Sequence, residues 1–347
     1  MPPTPDPRRL AAADWLTQFA DIDVASLAPA SADASFRRYF RVAKVGGGSC
    51  ILMDAPPELE PLDAFLQVAG LFEKAGLRVP RRLGVSKPQG FLLLEDFGSE
   101  PYLPHLTPST ARPLYQSAWQ AMVRLQAWGV QQPTNSLGLP AYSRTKLLDE
   151  MGLFQTWYVE THLGQTLSAD EAQTLNQTMA HLADRALAQT QVIVHRDFHS
   201  RNLMVLAETL TPDGQPGILD FQDAVVGPLT YDLVSLLRDA YVVWDEAEQI
   251  DWAIRYWEDA RRAGIAVPPD FADFWEDFEW MGLQRQLKVL GIFARLAHRD
   301  GKAHYLKDIP AVLAYATKAA HRYHELAGLA RLLDRLGNVS PTAQFTF

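Results

Sequence analysis

Apolar and polar positions along this chain follow two periods, and the switches between them mark its organisation. Residues 9–20 repeat apolar side chains at helical spacing, whereas from Ser35 to Val45 aromatic, basic and aliphatic residues alternate as on a strand. Gly46, Gly47 and Gly48 divide that run from a second one, Ser49 to Asp54, and predict a hairpin turn because glycine takes positive φ without steric cost. A phosphate-cradling loop would lead directly into a helix, and none follows here. A helix is predicted from about Leu62 to Ala75, with Leu62, Phe65, Leu66, Ala69 and Phe72 on one face and Gly76 where a C-cap belongs. Two short strands, in RRLGVS and GFLLLEDF, complete a first hundred residues that read as a small sheet with one helix. Beyond Gly98 the period is helical, interrupted once by a strand-rich block between Val192 and Phe221. Inside that block ETLTPDGQPG, Glu208 to Gly217, reads as the loop of a hairpin joining NLMVL to GILDF.

Composition narrows the class. A chain of 347 residues with 48% hydrophobic and 21% charged positions can bury a sizeable core in one large domain or two lobes. Neither a signal peptide nor a membrane span is legible, which places the expected location in the cytoplasm, away from membranes. The single cysteine, Cys50, excludes an internal disulfide and reads as a small buried residue on a strand. A net charge of −9 argues against a nucleic-acid partner, which would call for a basic face. An acidic protein that handles a polyanionic nucleotide should instead enlist a divalent metal.

The chemistry concentrates in VIVHRDFHSRNLMV and in LDFQD, Leu219 to Asp223. An apolar lead (Val192, Ile193, Val194) delivers His195, Arg196 and Asp197 at a strand end, with Asn202 five residues beyond the aspartate. Phosphoryl transfer needs a carboxylate to hold and deprotonate the attacking hydroxyl, and oxygen ligands for magnesium on the phosphates. Asp197 suits the first task; Asn202 and Asp220 suit the second. His298, Arg299 and Asp300 spell the same tripeptide again, but between a helix and Gly301 and with no asparagine at the needed spacing, so that copy reads as a capped helix end. His195 is expected to brace the backbone. Arg196 either packs or pairs with a carboxylate. His199 either faces the substrate or braces the loop.

HRDFHSRN with ILDFQD resembles the aminoglycoside phosphotransferase and choline kinase superfamily. Together with ADASFRRYFRV, ILMDAPPE, FLLLEDFG, ILDFQDAVVGPLTYDLVSLLRD and LQRQLKVLGIFARL, it is similar to the anomeric N-acetylmuramate and N-acetylglucosamine kinases. The resemblance implies an α+β, two-lobed, protein-kinase-like fold: residues 1–97 as a nucleotide-binding lobe with an antiparallel sheet, 98–347 as a helical lobe with the catalytic loop. It implies transfer of the ATP γ-phosphate to a sugar C1 hydroxyl in cell-wall recycling, with Mg2+, in a protein expected to be a monomer. FLLLEDFG would be the hinge where the backbone of Glu95 and Phe97 pairs with adenine, unless it is only a buried strand entering a turn. Asp232 would anchor the catalytic loop, or merely complement a helix N-terminus. Aminoglycoside, choline or homoserine-like acceptors, and a nucleotide-binding pseudokinase, remain alternatives.

Two questions follow from that resemblance. The first concerns the acceptor: Gln284, Arg285 and Lys288 share one helical turn, and an arginine would grip the lactyl carboxylate of N-acetylmuramate through paired hydrogen bonds. The same three could instead form a solvated helix face. Gln222 and Asp223 are candidates for a second metal or a sugar hydroxyl, and the tryptophans of the C-terminal third read mainly as core. The second concerns the nucleotide: the third strand carries Met53 where kinases of this type carry a phosphate-binding lysine. Arg37 or Arg38 is expected to replace it, with backbone N–H groups across Ser31, Asp33 and Ser35 assisting. Period-two geometry puts Arg37 and Arg41 on one face and Arg38 on the other.

Overall fold

The computed structural model describes residues 6–32, 36–133, 136–211 and 214–337. Asp33 and Ser35 therefore lie outside the described residues. The chain divides into two compact units, 1–101 with 203–223, and 102–202 with 224–347.

The first unit opens with α1 (Pro7–Leu16), set by the Asp6 carboxylate accepting from the N–H groups of Arg8 and Arg9 and by proline at the first helical position. The helix thus begins two residues before the apolar period that predicted it and stops four earlier, at Leu16. A five-stranded antiparallel sheet follows, formed by β1 (Ile22–Ala32), β2 (Arg38–Lys44), β3 (Ser49–Asp54), β4 (Arg82–Ser86) and β5 (Phe91–Glu95) in the order β1-β2-β3-β5-β4. The β1 strand has no counterpart in the hydrophobic pattern. Its pairing with β2 shifts register twice, between Asp23 and Ala28 and between Pro29 and Ser31, so the two-residue alternation that marks a strand is broken. The triglycine turn joins β2 to β3 with positive φ at all three glycines, as the sequence leads one to expect. Between β3 and β4 lies α2 (Asp63–Lys74), which buries Phe65, Val68, Ala69 and Phe72, so the described residues of this unit carry two helices. Cys50 is fully buried with Leu52, Phe40 and Val42, and burial pushes its thiol pKa up.

The hairpin β7 (Leu203–Met204) to β8 (Gly217–Ile218) belongs to this unit, not to the helical one. Val205 N–H donates to the Glu100 carbonyl and Ile218 N–H to the Arg78 carbonyl, both at 2.8 Å. Phe221 packs on Phe65 and Phe72 with ring centroids 4.8 and 5.6 Å away. Asp220 is thereby carried by the sheet unit.

The second unit contains α3 (Ala111–Val130), α4 (Arg144–Leu153) with a π-helical extension Phe154–His162, α5 (Ala169–Ala188), β6 (Gln191–Val194), β9 (Val225–Pro228), α6 (Tyr231–Leu237), α7 (Glu246–Arg262), α8 (Phe271–His298), α9 (Ile309–Arg322) and α10 (Ala327–Leu336). The strand that leads into the His195–Asn202 loop, β6, pairs antiparallel with β9. Helix α8 runs 28 residues and is buried along most of its length, packed by α4, α5, α6 and α9. Its Gly291 lets α4 approach closely: a Cβ there would lie 2.4 Å from the Leu153 carbonyl carbon. Trp252 and Trp280 are core, as expected. The second His-Arg-Asp run ends α8, with Gly301 at φ +69° and Arg299 paired to Asp300 at 2.7 Å.

Candidate active site

The candidate catalytic loop starts where β6 runs out. His195 is completely buried, and its Nδ1 accepts from the Asp197 N–H at 3.2 Å, which makes it a brace for the loop. Arg196 sits at φ +79°, a left-handed conformation that costs a non-glycine residue about 1–3 kcal/mol and persists only where surroundings enforce it. Asp232, in the first turn of α6, supplies that enforcement: its carboxylate accepts from the N–H groups of His195 at 2.6 Å and Arg196 at 3.0 Å. Its anchoring role is thus visible in the geometry, with no need to invoke the helix dipole. Burial pushes the Asp232 pKa up to about 7, against the pull of those two backbone donors. Further along the loop, Asn202 Nδ2 donates to the Asp197 carbonyl at 3.0 Å, which ties the two ends of the Asp197–Asn202 segment together. Ser200 is pinned through its N–H (3.0 Å) and hydroxyl (2.5 Å) to Asp239.

Basic side chains lie within electrostatic reach of Asp197. Burial alone would raise its pKa, but Lys288, His199, His195 and Arg285 outweigh that and hold it below the usual carboxylate range, so it is ionised at neutral pH. Gln284, Arg285 and Lys288 are 0%, 7% and 7% exposed, which overturns the solvated-face reading: α8 is hidden on this side as well. The Lys288 ammonium meets Glu150 Oε2 at 3.1 Å and the Tyr231 hydroxyl at 2.9 Å. Arg285 differs. Among the described residues no hydrogen bond or ion pair engages its guanidinium, although it lies within electrostatic reach of Asp197 and His199. His199 is likewise under-satisfied, with a buried Nδ1 that has no partner among the described residues and a pKa lowered by burial. Its ring stands edge-on to Tyr241, 5.6 Å between centroids.

In the sheet unit the three arginines of the FRRYFR run go to three different places. Arg38 is bound to the fully buried Asp54, at 2.9 Å through Nε, and to Asp6; Arg8 of α1 reaches the same Asp54, at 2.7 Å through its Nε. Arg41 pairs with Asp96 at 2.6 Å and donates to the Gly98 carbonyl at 2.9 Å. Arg37 precedes β2, so strand alternation does not place it with Arg41. Its guanidinium, with the side chain only 9% exposed, lies 3.8 Å from Glu60 and 4.0 Å from Asp220. Asp220 adopts φ +59° and accepts from Gln222 Nε2 at 2.8 Å. Asp223 next to it is exposed, and Ser31 lies in β1 opposite Tyr39.

The hinge candidates are locked in place. Arg78 grips Glu95 with two bonds of 2.6 and 2.7 Å, Arg81 adds a third at 3.1 Å, and the Glu95 carboxyl is drawn down to about 2. The Glu95 N–H donates to the Arg81 carbonyl at 2.9 Å. Phe97 lies under the Arg78 guanidinium at 4.8 Å. Asp96 between them accepts from Arg41, Ser49 and the Gly98 N–H, which fixes the turn.

Sequence reasoning missed Glu60, Asp96, Glu150 and Asp239. Each is an acidic residue whose only local signature is a polar residue in or beside an otherwise ordinary element, and each acts on a partner 23 to 55 positions away.

Comparisons with known proteins agree with this architecture. The N-acetylmuramate/N-acetylglucosamine kinase of Neisseria meningitidis serogroup B is 42% identical over 346 residues, 98% of this chain and 99% of that one. The protein of the same name from Pseudomonas aeruginosa is 44% identical over 318 residues, 92% and 90% of the two chains. The GDP complex of wild-type aminoglycoside 2'-phosphotransferase-IIIa superposes with a TM-score of 0.61 at 17% identity, covering 92% of this chain and all of that one. This likeness extends the kinase-like fold across both units. A profile described as the phosphotransferase enzyme family matches residues 26–271, from β1 to the start of α8, and the chain belongs to that family.

Proposed function

We propose that this phosphotransferase moves the γ-phosphate of ATP to the anomeric hydroxyl of N-acetylmuramate, N-acetylglucosamine or both, acting in the cytoplasm as a monomer. The observation that carries the reading is a base-competent Asp197, ionised in a loop over-determined by Asp232, in a chain 42–44% identical to kinases named for those two sugars.

Asp197 holds the C1 hydroxyl and accepts its proton as the oxygen attacks the γ-phosphorus. The bond from that phosphorus to the β–γ bridging oxygen breaks, and ADP leaves. The role of the protein in such a loose transition state is mostly placement and charge compensation. Arg37 is the cation we assign to the nucleotide phosphates in place of the missing lysine. Glu60 and Asp220 hold it from two sides, as a lysine is held in related kinases, whereas Arg38 and Arg41 are committed to Asp54 and Asp96. An adenine edge at the hinge would take the Glu95 carbonyl and the Phe97 N–H, because the Glu95 N–H is already spent on Arg81. We assign the backbone from Ser31 through Asp33 to Ser35 to the phosphates as well.

We assign magnesium to Asn202 and Asp220 on the chemistry of each donor taken by itself. The Asn202 amide nitrogen is committed to the loop, which orients Oδ1 as the ligating atom, and Asp220 adds a carboxylate, so both donors are hard oxygens. Among the described residues no three His, Cys, Asp or Glu side chains form a metal cage, and a metal shared with phosphates does not require one. When bound, it would neutralise charge on the phosphate oxygens. For the acceptor, Arg285 is the group assigned to a carboxylate, with His199, Lys288, Gln222 and Asp223 as further candidates for hydroxyls.

Product analysis tests the reading. ³¹P NMR after incubation with ATP, Mg2+ and each sugar should show an anomeric phosphate, and Asp197→Asn should abolish it. A phosphate on another hydroxyl, or undiminished turnover in that variant, would overturn it.

A further inference from the structure

Behind the catalytic loop stands a buried carboxylate that the reaction scheme above does not use. Glu150, two turns into α4, is 7% exposed. One of its oxygens pairs with the Arg196 guanidinium; the other accepts from the Tyr142 hydroxyl and meets the Lys288 ammonium at 3.1 Å. Lys288 also donates to the Tyr231 hydroxyl at 2.9 Å, and the Arg196 guanidinium lies over the Tyr142 ring at 5.4 Å. Three distant pieces of sequence therefore meet at one carboxylate: α4, the catalytic loop and α8.

Besides the exposed Lys146, 3.9 Å from Oε1, Glu150 holds two cations that bear directly on Asp197. Arg196 precedes it in the chain in a backbone conformation that must be enforced, and Lys288 heads the charges that keep Asp197 ionised despite burial. A buried ion pair is weak evidence of stabilisation, since well-packed apolar residues often serve as well or better. Its retention beside the reacting carboxylate calls for another reason.

We propose that Glu150 is a positioning residue for the phosphoryl transfer: it stations Arg196 and Lys288 so that the strained loop presents Asp197 to the acceptor hydroxyl. It touches neither substrate. Its effect falls on the chemical step and not on binding. The inference rests on Asp197 as the base, but not on which sugar is the acceptor.

The test is a double-mutant cycle on the full chain with Glu150→Gln, Lys288→Met and the combination, each read as kcat, the KM for ATP and the KM for the acceptor, with melting temperatures alongside. Glu150→Gln is expected to lower kcat by about tenfold or more, with both KM values within about twofold of wild type. Because the two residues act as one unit, the double variant should lose no more than the worse single variant. A folded Glu150→Gln enzyme with wild-type kcat, kcat losses that multiply in the double variant, or a loss in Glu150→Gln confined to KM would overturn the proposal. Should the glutamine variant fail to fold, Glu150→Asp, which keeps the charge but withdraws it by one methylene, is read by the same criteria. Wild-type turnover is measured first; its absence with amino sugars counts against the substrate assignment, and the cycle is then run on whichever alcohol the wild type phosphorylates.

Discussion

Asp232→Asn is the substitution whose consequences the structure specifies most fully. Asp232 accepts two backbone N–H groups, from His195 at 2.6 Å and Arg196 at 3.0 Å, while itself 1% exposed. Asparagine has nearly the same shape but only one accepting oxygen; its NH2 group would face the second N–H, donor against donor. A buried donor left unsatisfied costs about 1–3 kcal/mol. That cost falls on the conformation that presents Asp197, so kcat should drop by about 5- to 150-fold at 1.36 kcal/mol per decade, with the KM for ATP unchanged. A second readout is pH. The folded pKa is raised to about 7 from 3.8, so between those values the folded protein keeps a proton that the unfolded chain releases. Stability conferred by protonated Asp232 is thus complete below about pH 4 and is lost as pH rises through 7, a total of about 4 kcal/mol for a shift of this size. Asparagine does not titrate. The melting-temperature advantage of wild type over Asp232→Asn should therefore shrink steadily from about pH 4.5 to pH 8. A variant with kcat within about twofold of wild type, or a stability difference flat across that range, would refute the reasoning.

Two further outcomes separate groups that look equivalent in the sequence. Arg37→Ala should raise the KM for ATP by about tenfold or more, through loss of a charged hydrogen-bonding group worth about 1.5–3 kcal/mol. Arg38→Ala should leave that KM alone and lower the melting temperature, because it removes one of the two arginines paired with buried Asp54. Arg285→Ala should raise the KM for N-acetylmuramate more than that for N-acetylglucosamine, by about tenfold in the ratio, and equal effects on the two sugars would remove Arg285 from carboxylate recognition.

Local sequence determined a good part of this protein. Three successive glycines between apolar runs could only turn, and they form the β2–β3 hairpin at positive φ. The order and spacing of Asp197, Asn202 and Asp220 pointed to phosphoryl transfer, in keeping with the phosphotransferase family match, because these positions are nearly contiguous in the chain, and the same three letters at His298 to Asp300 were separable by their flanks. Where the signal depends on a partner far along the chain, sequence was silent. Strand β1 was hidden by its two register shifts. The fates of Arg37, Arg38 and Arg41 follow from Glu60 and Asp220, from Asp54 and Asp6, and from Asp96, none of which any periodicity links to them. Helical spacing put Gln284, Arg285 and Lys288 together but could not say that α4, α6 and the catalytic loop would bury them. Charges carry no register: a helix shows its apolar stripe in its own sequence, but which carboxylate meets which cation is settled only when elements pack. The partners of Glu150 were therefore decided by tertiary structure alone, whereas Asp232, which the resemblance had marked as an anchor of the loop, owed to it only the two N–H groups it holds.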